Sequence, residues 1–353
     1  MSDEKALRVP ERVCRTAHMG GVGGVYKSRP EDFVVEEVPA YEPSGEGEHV
    51  YLWVECVGAS TPWAVKRIAR AFGVKPRDVG VAGFKDRVAV TRQWVSLPGR
   101  GIEPGEVVGE VCEGVTVLSA SRHRNKLKRG HLKGNRFELV VREVDEGALE
   151  RARAIMSELE EGGAPNYYGE QRFGREGETL RMGLGVIRGT ERVGDRKLRR
   201  LCVNAVQSAL FNDALAARVR AGTLGVVEAG DVMGLRGSGG VFRVEEDEVE
   251  ETQRRLDEGE LVVTGPMFGP KMIRPAGEVD AREEGFLAAR GVGREEFDGL
   301  GSMAPGGRRP YVVYPQEVSL EGEEGALRMR FFLPSGAYAT VMLEELMRGT
   351  ETL

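Results

Sequence analysis

Residues 79–97 read VGVAGFKDRVAVTRQWVSL. Val79–Gly83 and Val88–Leu97 are apolar and rich in β-branched residues, which predicts two strands. Between them, Phe84-Lys85-Asp86-Arg87 leaves room only for a sharp loop. A link that short joins neighbouring strands directly, without a crossover helix. Working outward, Val25–Val38 reads as a strand, a Pro-Glu-Asp turn and a second strand. HVYLWVECV (49–57), Phe137–Val144 and Leu327–Leu333 are further runs of strand length. Helices are signalled at 62–72, 147–161, 198–220 and 338–348. In the first, Thr61 is placed to cap, Pro62 takes the first helical position, and Val65, Ile68, Ala69 and Phe72 share a face before Gly73. In the last, Gly349 is the stop. The stretch 244–260 reads as an exposed acidic helix, and 264–310, with its many Gly and Pro, as mostly loop with one helix. Strands and helices mix without regular βα alternation, so the pattern predicts an α+β fold rather than a doubly wound sheet.

The chain has 353 residues, enough for two domains, and is 41% hydrophobic and 30% charged. That supports a core and excludes a disordered chain. No apolar run approaches the ~18 residues of a membrane span, and MSDEKALRVPERV holds no signal-peptide core. The expectation is a soluble, cytoplasmic protein with no membrane partner. Five Asn and five Gln, with forty Arg to ten Lys, suggest a hot environment.

The four cysteines form no CxxC pair, and the four histidines show no metal-ligand spacing. GGVGG (20–24) lacks the strand and helix that would make it a dinucleotide fingerprint. No metal and no cofactor is expected, so catalysis would run on carboxylates, lysine or arginine. Net charge is −6, yet residues 122–136 (RHRNKLKRGHLKGNR) hold seven Arg or Lys and no acid. Arg192, Arg196, Lys197, Arg199 and Arg200 make a second basic stretch, while acid gathers in Glu245–Glu251 and Glu317–Glu324. Because phosphate contacts are local and screening sets in within ~8 Å, the first run marks a polyanion site. Its candidate RNA contacts are Arg122, Arg124, Lys126, Lys128, Arg129 and Lys133.

The sharpest chemical signal is the Lys-Asp pair in the 84–87 turn. An aspartate there is commonly a turn former. It is also a carboxylate held rigidly between strands, where adjacent cations would keep it ionised and reactive.

AGFKDRVAVTRQW (82–94) resembles the signature of the TruD family of tRNA pseudouridine synthases. KSRPEDFVVEE (27–37), HLKGNRFELVVRE (131–143), PNYYGEQRFG (165–174), AVQSALFND (205–213) and FLPSGAYAT (332–340) resemble further blocks in the family's order, with Tyr168 where Phe is common. The likeness runs from about residue 20 to 348, and the chain reads as an archaeal-type member. The resemblance implies a pseudouridine-synthase-like mixed, largely antiparallel sheet with flanking helices, carrying an inserted α/β TruD domain. The catalytic domain would be 1–162 plus 309–353 and the insertion 163–308. It also implies that a uridine in tRNA is detached from C1′, turned and rejoined through C5, without metal or redox cofactor. The target would be position 13, in the D arm.

By the same resemblance Asp86 is the essential aspartate, leaving open attack at C1′, attack at C6 or removal of the 2′ proton. Lys27 would pair with it. Phe137 would stack on the target base, and Asn135 would read the uracil edge or backbone. Gln93, two residues along the strand from Thr91 and on the same face, is a further base-site candidate. The partner would be tRNA, the protein acting as a monomer. The alternative is an RNA-binding protein of this fold that has lost catalysis. A hydrolase fits poorly, because no second catalytic carboxylate or histidine accompanies Asp86.

Overall fold

The computed structural model describes residues 7–348; the helix stop expected at Gly349 lies outside them. The chain divides into two compact units. One comprises the residues up to Ala17, Glu161–Tyr314 and Thr340–Glu345; the other comprises His18–Glu160, Pro315–Ala339 and the residues from Leu346. Among the described residues no helix is long and apolar enough to cross a membrane.

The second unit is built on a ten-stranded sheet. Its strands are β1 (Gly23–Tyr26), β2 (Phe33–Pro39), β3 (His49–Val57), β4 (Gly80–Val81), β5 (Val90–Pro98), β6 (Gly109–Cys112), β7 (Val115–His123) and β8 (Leu132–Val144). The last two in the sheet come from far along the chain, Gln316–Glu323 and Ala326–Pro334. The order is Gln316–Glu323, Ala326–Pro334, β8, β2, β5, β3, β7, β6, with β1 also on β8 and β4 on β5. Only β2 and β5 run parallel. The fold is thus α+β with a mixed, largely antiparallel sheet, as the sequence predicts.

Alternation gives the sheet two unlike faces. On one, Leu52 and Val54 of β3 and Val95 and Leu97 of β5 pack with Ala64, Ile68 and Ala69 of helix α1 (Thr61–Ala71). On the other, charged side chains pair across strands. Arg92 meets Glu36 and Glu55, Arg136 meets Glu317, and Arg328 and Arg330 both meet Glu138. Each such exposed pair contributes about 0.2–1 kcal/mol. The acidic run at 317–324, which carries no strand signature of its own, is an edge strand whose glutamates answer these arginines. A cavity of about 250 Å³ lies over the charged face, lined by Glu36, Arg92, Arg136, Glu138 and Arg330.

Two corrections concern the opening stretch. β4 is only Gly80–Val81 and β5 begins at Val90, so 82–89 is irregular rather than strand. Its backbone groups bond elsewhere: Gly130 N–H donates to Ala82 C=O at 2.9 Å, and Lys85 N–H donates to Thr61 Oγ1 at 2.9 Å. For the same reason Thr61 does not cap its helix. Ser60 holds the cap position, and the Thr61 hydroxyl serves the loop instead.

The first unit carries a four-stranded antiparallel sheet of Val232–Leu235, Val241–Arg243, Leu261–Met267 and Gly307–Pro310. Its spine is the 26-residue helix Arg196–Ala221. Val203, Val206 and Leu210 pack with Phe173, Leu184 and Phe268, while Phe211 and Leu215 join Tyr167, Met233 and Tyr311. The stretch 264–310 is not mostly loop. Leu261–Met267 is a buried strand despite its Gly-Pro pair, because Gly265 leaves the space that the Tyr311 ring fills; a Cβ there would stand 2.2 Å from Tyr311 Cε1. The PNYYGEQRFG and AVQSALFND blocks fasten to each other. Tyr168 and Asn212 exchange two bonds of 2.9 Å, and Arg172 donates to Ser208 Oγ at 3.1 Å.

Candidate active site

The irregular loop 82–89 is held from three sides. Beneath it, Thr61 Oγ1 accepts the Lys85 amide and, at 3.2 Å, Gln93 Nε2. The Lys85 side chain turns inward. Its Nζ donates to Glu37 Oε2 at 2.9 Å and to Asn135 Oδ1 at 2.8 Å. Register puts these groups together, since Glu37 of β2 lies opposite Asn135 of β8. The pair is enclosed, Lys85 at 4% side-chain exposure and Glu37 at 0%. Burial pushes the Glu37 carboxyl up, while Lys85 and the Trp94 amide pull it back. Lys85 therefore anchors the loop and does not serve as the cation beside Asp86, as its place in the sequence suggests.

That cation is Lys27. Its Nζ donates to Asp86 Oδ2 at 3.3 Å and lies 4.1 Å over the Phe33 ring. Lys27 follows β1 with φ +61°, a left-handed conformation uncommon outside glycine. Phe33 meets Phe137 edge-on at 6.3 Å, and Phe137 meets Phe331 at 5.5 Å. Asp86, its side chain about one-third exposed, thus stands at the outer end of a run of contacts that passes through Lys27 to the buried rings of Phe33, Phe137 and Phe331.

Asn135 contributes in an oriented way. With Oδ1 occupied by Lys85 Nζ, its amide nitrogen is left to donate outward. Phe137, on the same face two residues on, is largely buried. Gln93 lies beneath the site at 1% exposure, its Oε1 enclosed without a partner.

The profile of the family tRNA pseudouridine synthase D (TruD) matches residues 11–193 and 191–346. The chain belongs to the TruD family. It is 44% identical over 345 residues to tRNA pseudouridine synthase D of Anaeromyxobacter dehalogenans strain 2CP-1, covering 96% of this chain and 97% of that one. With a Thermus thermophilus protein of the same name it shares 42% over 333 residues, covering 94% and 91%. A TruD crystal structure from Methanosarcina mazei superposes with a TM-score of 0.77 at 23% identity, over 96% of this chain and 97% of that one. This last likeness speaks to the fold.

In this TruD chain the basic run 122–136 is less bare than its sequence. Arg122 bonds Ile102 C=O and Glu103, both at 3.1 Å, and Arg124 pairs with Glu46. Lys126 Nζ donates to Arg77 C=O at 2.8 Å. Lys128, Arg129 and Lys133 are exposed, and no carboxylate pairs with them among the described residues. Arg129 instead lies 4.2 Å over the ring of Phe84.

Thr61, Glu37 and the inward role of Lys85 were not marked by sequence reasoning as parts of the site. The only available signal was a threonine at a helix start, which reads as a cap. Thr61→Val keeps the shape but leaves the partly buried Lys85 amide and the buried Gln93 amide group without their acceptor. The expected cost is about 1–3 kcal/mol, read as a lower denaturation midpoint together with slower turnover at saturating substrate. Thr61→Ser should restore both.

Proposed function

We propose that this chain isomerises a uridine of tRNA to pseudouridine, in the D arm at position 13, with Asp86 acting on the flipped nucleotide. The observation that carries this reading is the Lys27–Asp86 ion pair on a loop fastened from below, with Lys27 resting on the Phe33–Phe137 ring pair and Asn135 tied to the same loop through Lys85. A base taken out of its stack needs a flat apolar surface and hydrogen-bond partners for its edge. Phe137 offers the first and Asn135 Nδ2 a donor for a uracil carbonyl. Lys27 fixes the direction of the Asp86 carboxylate toward the sugar and ring. The C1′–N1 bond breaks and the C1′–C5 bond forms; C5 loses a proton and N1 gains one, so nothing is consumed. Gln93, enclosed below, works through Thr61 on the loop rather than on the base. The catalytic domain is assigned to both ends of the sequence, 1–162 and 309–353, around an insertion at 163–308, although the residues up to Ala17 and Thr340–Glu345 fall in the insertion's compact unit. The enzyme works as a cytoplasmic monomer.

The test is incubation of the protein with unmodified tRNA transcripts and no added cofactor, followed by carbodiimide and primer-extension mapping of pseudouridine. A stop in the D arm is expected. Tight tRNA binding with no stop anywhere would favour the RNA-binding protein without catalysis.

Binding itself should depend on the unpaired cations. Changing Lys128, Arg129 and Lys133 together to Gln is expected to flatten the salt dependence of tRNA affinity by about 2–3 log units per log unit of salt. Arg122→Gln with Arg124→Gln should do less, because Glu103 and Glu46 already neutralise them. Equal effects from the two sets would remove the distinction between paired and unpaired charge.

A further inference from the structure

Phe84 is 58% exposed, the most of any large hydrophobic side chain among the described residues. It stands two residues before Asp86. Its exposure is built in, since the loop carrying it is anchored through Lys85 to Thr61, Glu37 and Asn135. The neighbouring loop is tied to it as well, through Gly130 N–H donating to Ala82 C=O. That bond places Arg129 with its guanidinium 4.2 Å over one face of the phenyl ring. The rest of the ring is left to solvent. No carboxylate pairs with Arg129 or with Lys128 beside it among the described residues. An apolar ring backed by an uncompensated cation matches a nucleotide on both counts, the ring for a base and the guanidinium for a phosphate.

We infer that Phe84 and Arg129 form a binding site for the nucleotide next to the target uridine. The phenyl ring stacks on that neighbour's base and Arg129 takes its phosphate. This rests on the synthase reading above and assigns it a second subsite. Extruding a uridine deprives its neighbour of a stacking partner. A ring already fixed beside Asp86 replaces that surface at no ordering cost, and so holds the RNA open while the uridine reacts. The occupant is RNA rather than a protein, because the exposed ring lies under the Arg129 guanidinium and neither Arg129 nor Lys128 has a carboxylate partner among the described residues.

The experiment uses the full chain and three tRNAs, one intact, one abasic at the nucleotide 5′ to the target uridine and one abasic at the nucleotide 3′ to it. Single-turnover pseudouridine formation is measured for wild type, Phe84→Ala, Phe84→Trp and Arg129→Gln. On intact tRNA, Phe84→Ala is expected to slow the reaction about tenfold or more, and Phe84→Trp to recover most of the loss. One abasic flank should slow wild type by a similar factor and leave Phe84→Ala unaffected, because the partner of the missing ring is already gone. Arg129→Gln should raise the half-saturating tRNA concentration for all three substrates. In an Asp86→Asn background, 2-aminopurine at the same flank should change its fluorescence on binding with Phe84 present and not with Phe84→Ala.

Phe84→Ala at the wild-type rate would overturn the assignment. So would abasic penalties that are equal in wild type and variant, which would mean an exposed ring serving something other than RNA. If wild type makes no pseudouridine on any tRNA, the synthase reading and this subsite fall together. If wild type is active and only the Phe84 arms fail, the synthase reading stands alone. The ring's exposure makes loss of folding unexpected, and Phe84→Trp keeps the test decisive if alanine proves damaging.

Discussion

Asp86→Asn is expected to lower pseudouridine formation by at least about 10³-fold while tRNA affinity stays within a few-fold of wild type. The substitution is nearly isosteric and leaves Lys27 facing an amide oxygen at the same place. What it removes is the carboxylate, and one group acting as acid, base or nucleophile supplies on the order of 10²–10⁴ in rate. Product mapping under single turnover gives the first quantity and filter binding the second. Full activity would exclude Asp86 from the chemistry. A parallel collapse of binding would mean that the 82–89 loop itself had come loose. Lys27→Met gives the complementary view: it leaves the carboxylate but frees its direction, so a smaller loss than that of Asp86→Asn is expected.

The largest effect on stability should come from the enclosed pair below the loop. Lys85→Met leaves Glu37 at 0% side-chain exposure with no cation. Breaking a buried pair from one side costs about 3–5 kcal/mol. Replacing both partners, as in Lys85→Met with Glu37→Leu, should be less damaging than either single change, because no unpaired charge remains. Activity should stay low in the double variant, since Asn135 and the loop have still lost their anchor.

The pH dependence of the Lys85→Met variant has a definite sign. Burial already pushes the Glu37 carboxyl up, and removing Lys85 takes away the strongest influence holding it down. A carboxyl raised in the folded state binds more protons there than when unfolded, so stability falls as pH rises through the folded value. The deficit of the variant relative to wild type should therefore be smaller at pH 5–6 than at pH 8 in urea titrations. A deficit that grows toward acid would contradict this account of Glu37.

Much of the fold was legible because its signals are local. Valine-rich alternation marks β3 and β8, and Pro62 with Gly73 brackets α1. Asp86 stands out for a similarly local reason, a charged pair in a turn between apolar strands. What could not be read depends on register between distant segments. Glu37 meets Lys85 and Asn135 only because β2 lies against β8, and no pattern around 33–39 reveals it. The counter-charges of the basic run, Glu46, Glu103 and Glu317, are likewise remote in sequence. The strand Gln316–Glu323 escaped because its side chains meet other charges rather than a core. Thr61 shows a subtler limit. Its residue type and position predict a cap, and the same hydroxyl serves a loop 24 residues away.

The sheet's dependence on a late segment bears on how the protein is made. β8, which carries Asn135 and Phe137, is bordered on one side by Ala326–Pro334 through nine consecutive registered pairs. Glu138 and Arg328, partners across that border, are 190 residues apart. On a ribosome adding about 5–20 residues per second, β8 emerges roughly 10–40 s before the strand that covers it. During that interval a 13-residue strand with one apolar face presents an unsatisfied edge, the kind of template on which nascent chains pair wrongly. The sheet that carries Asn135 and Phe137 therefore closes only when most of the chain has been made. The protein's yield in the cell should depend on whatever shields that edge until translation ends.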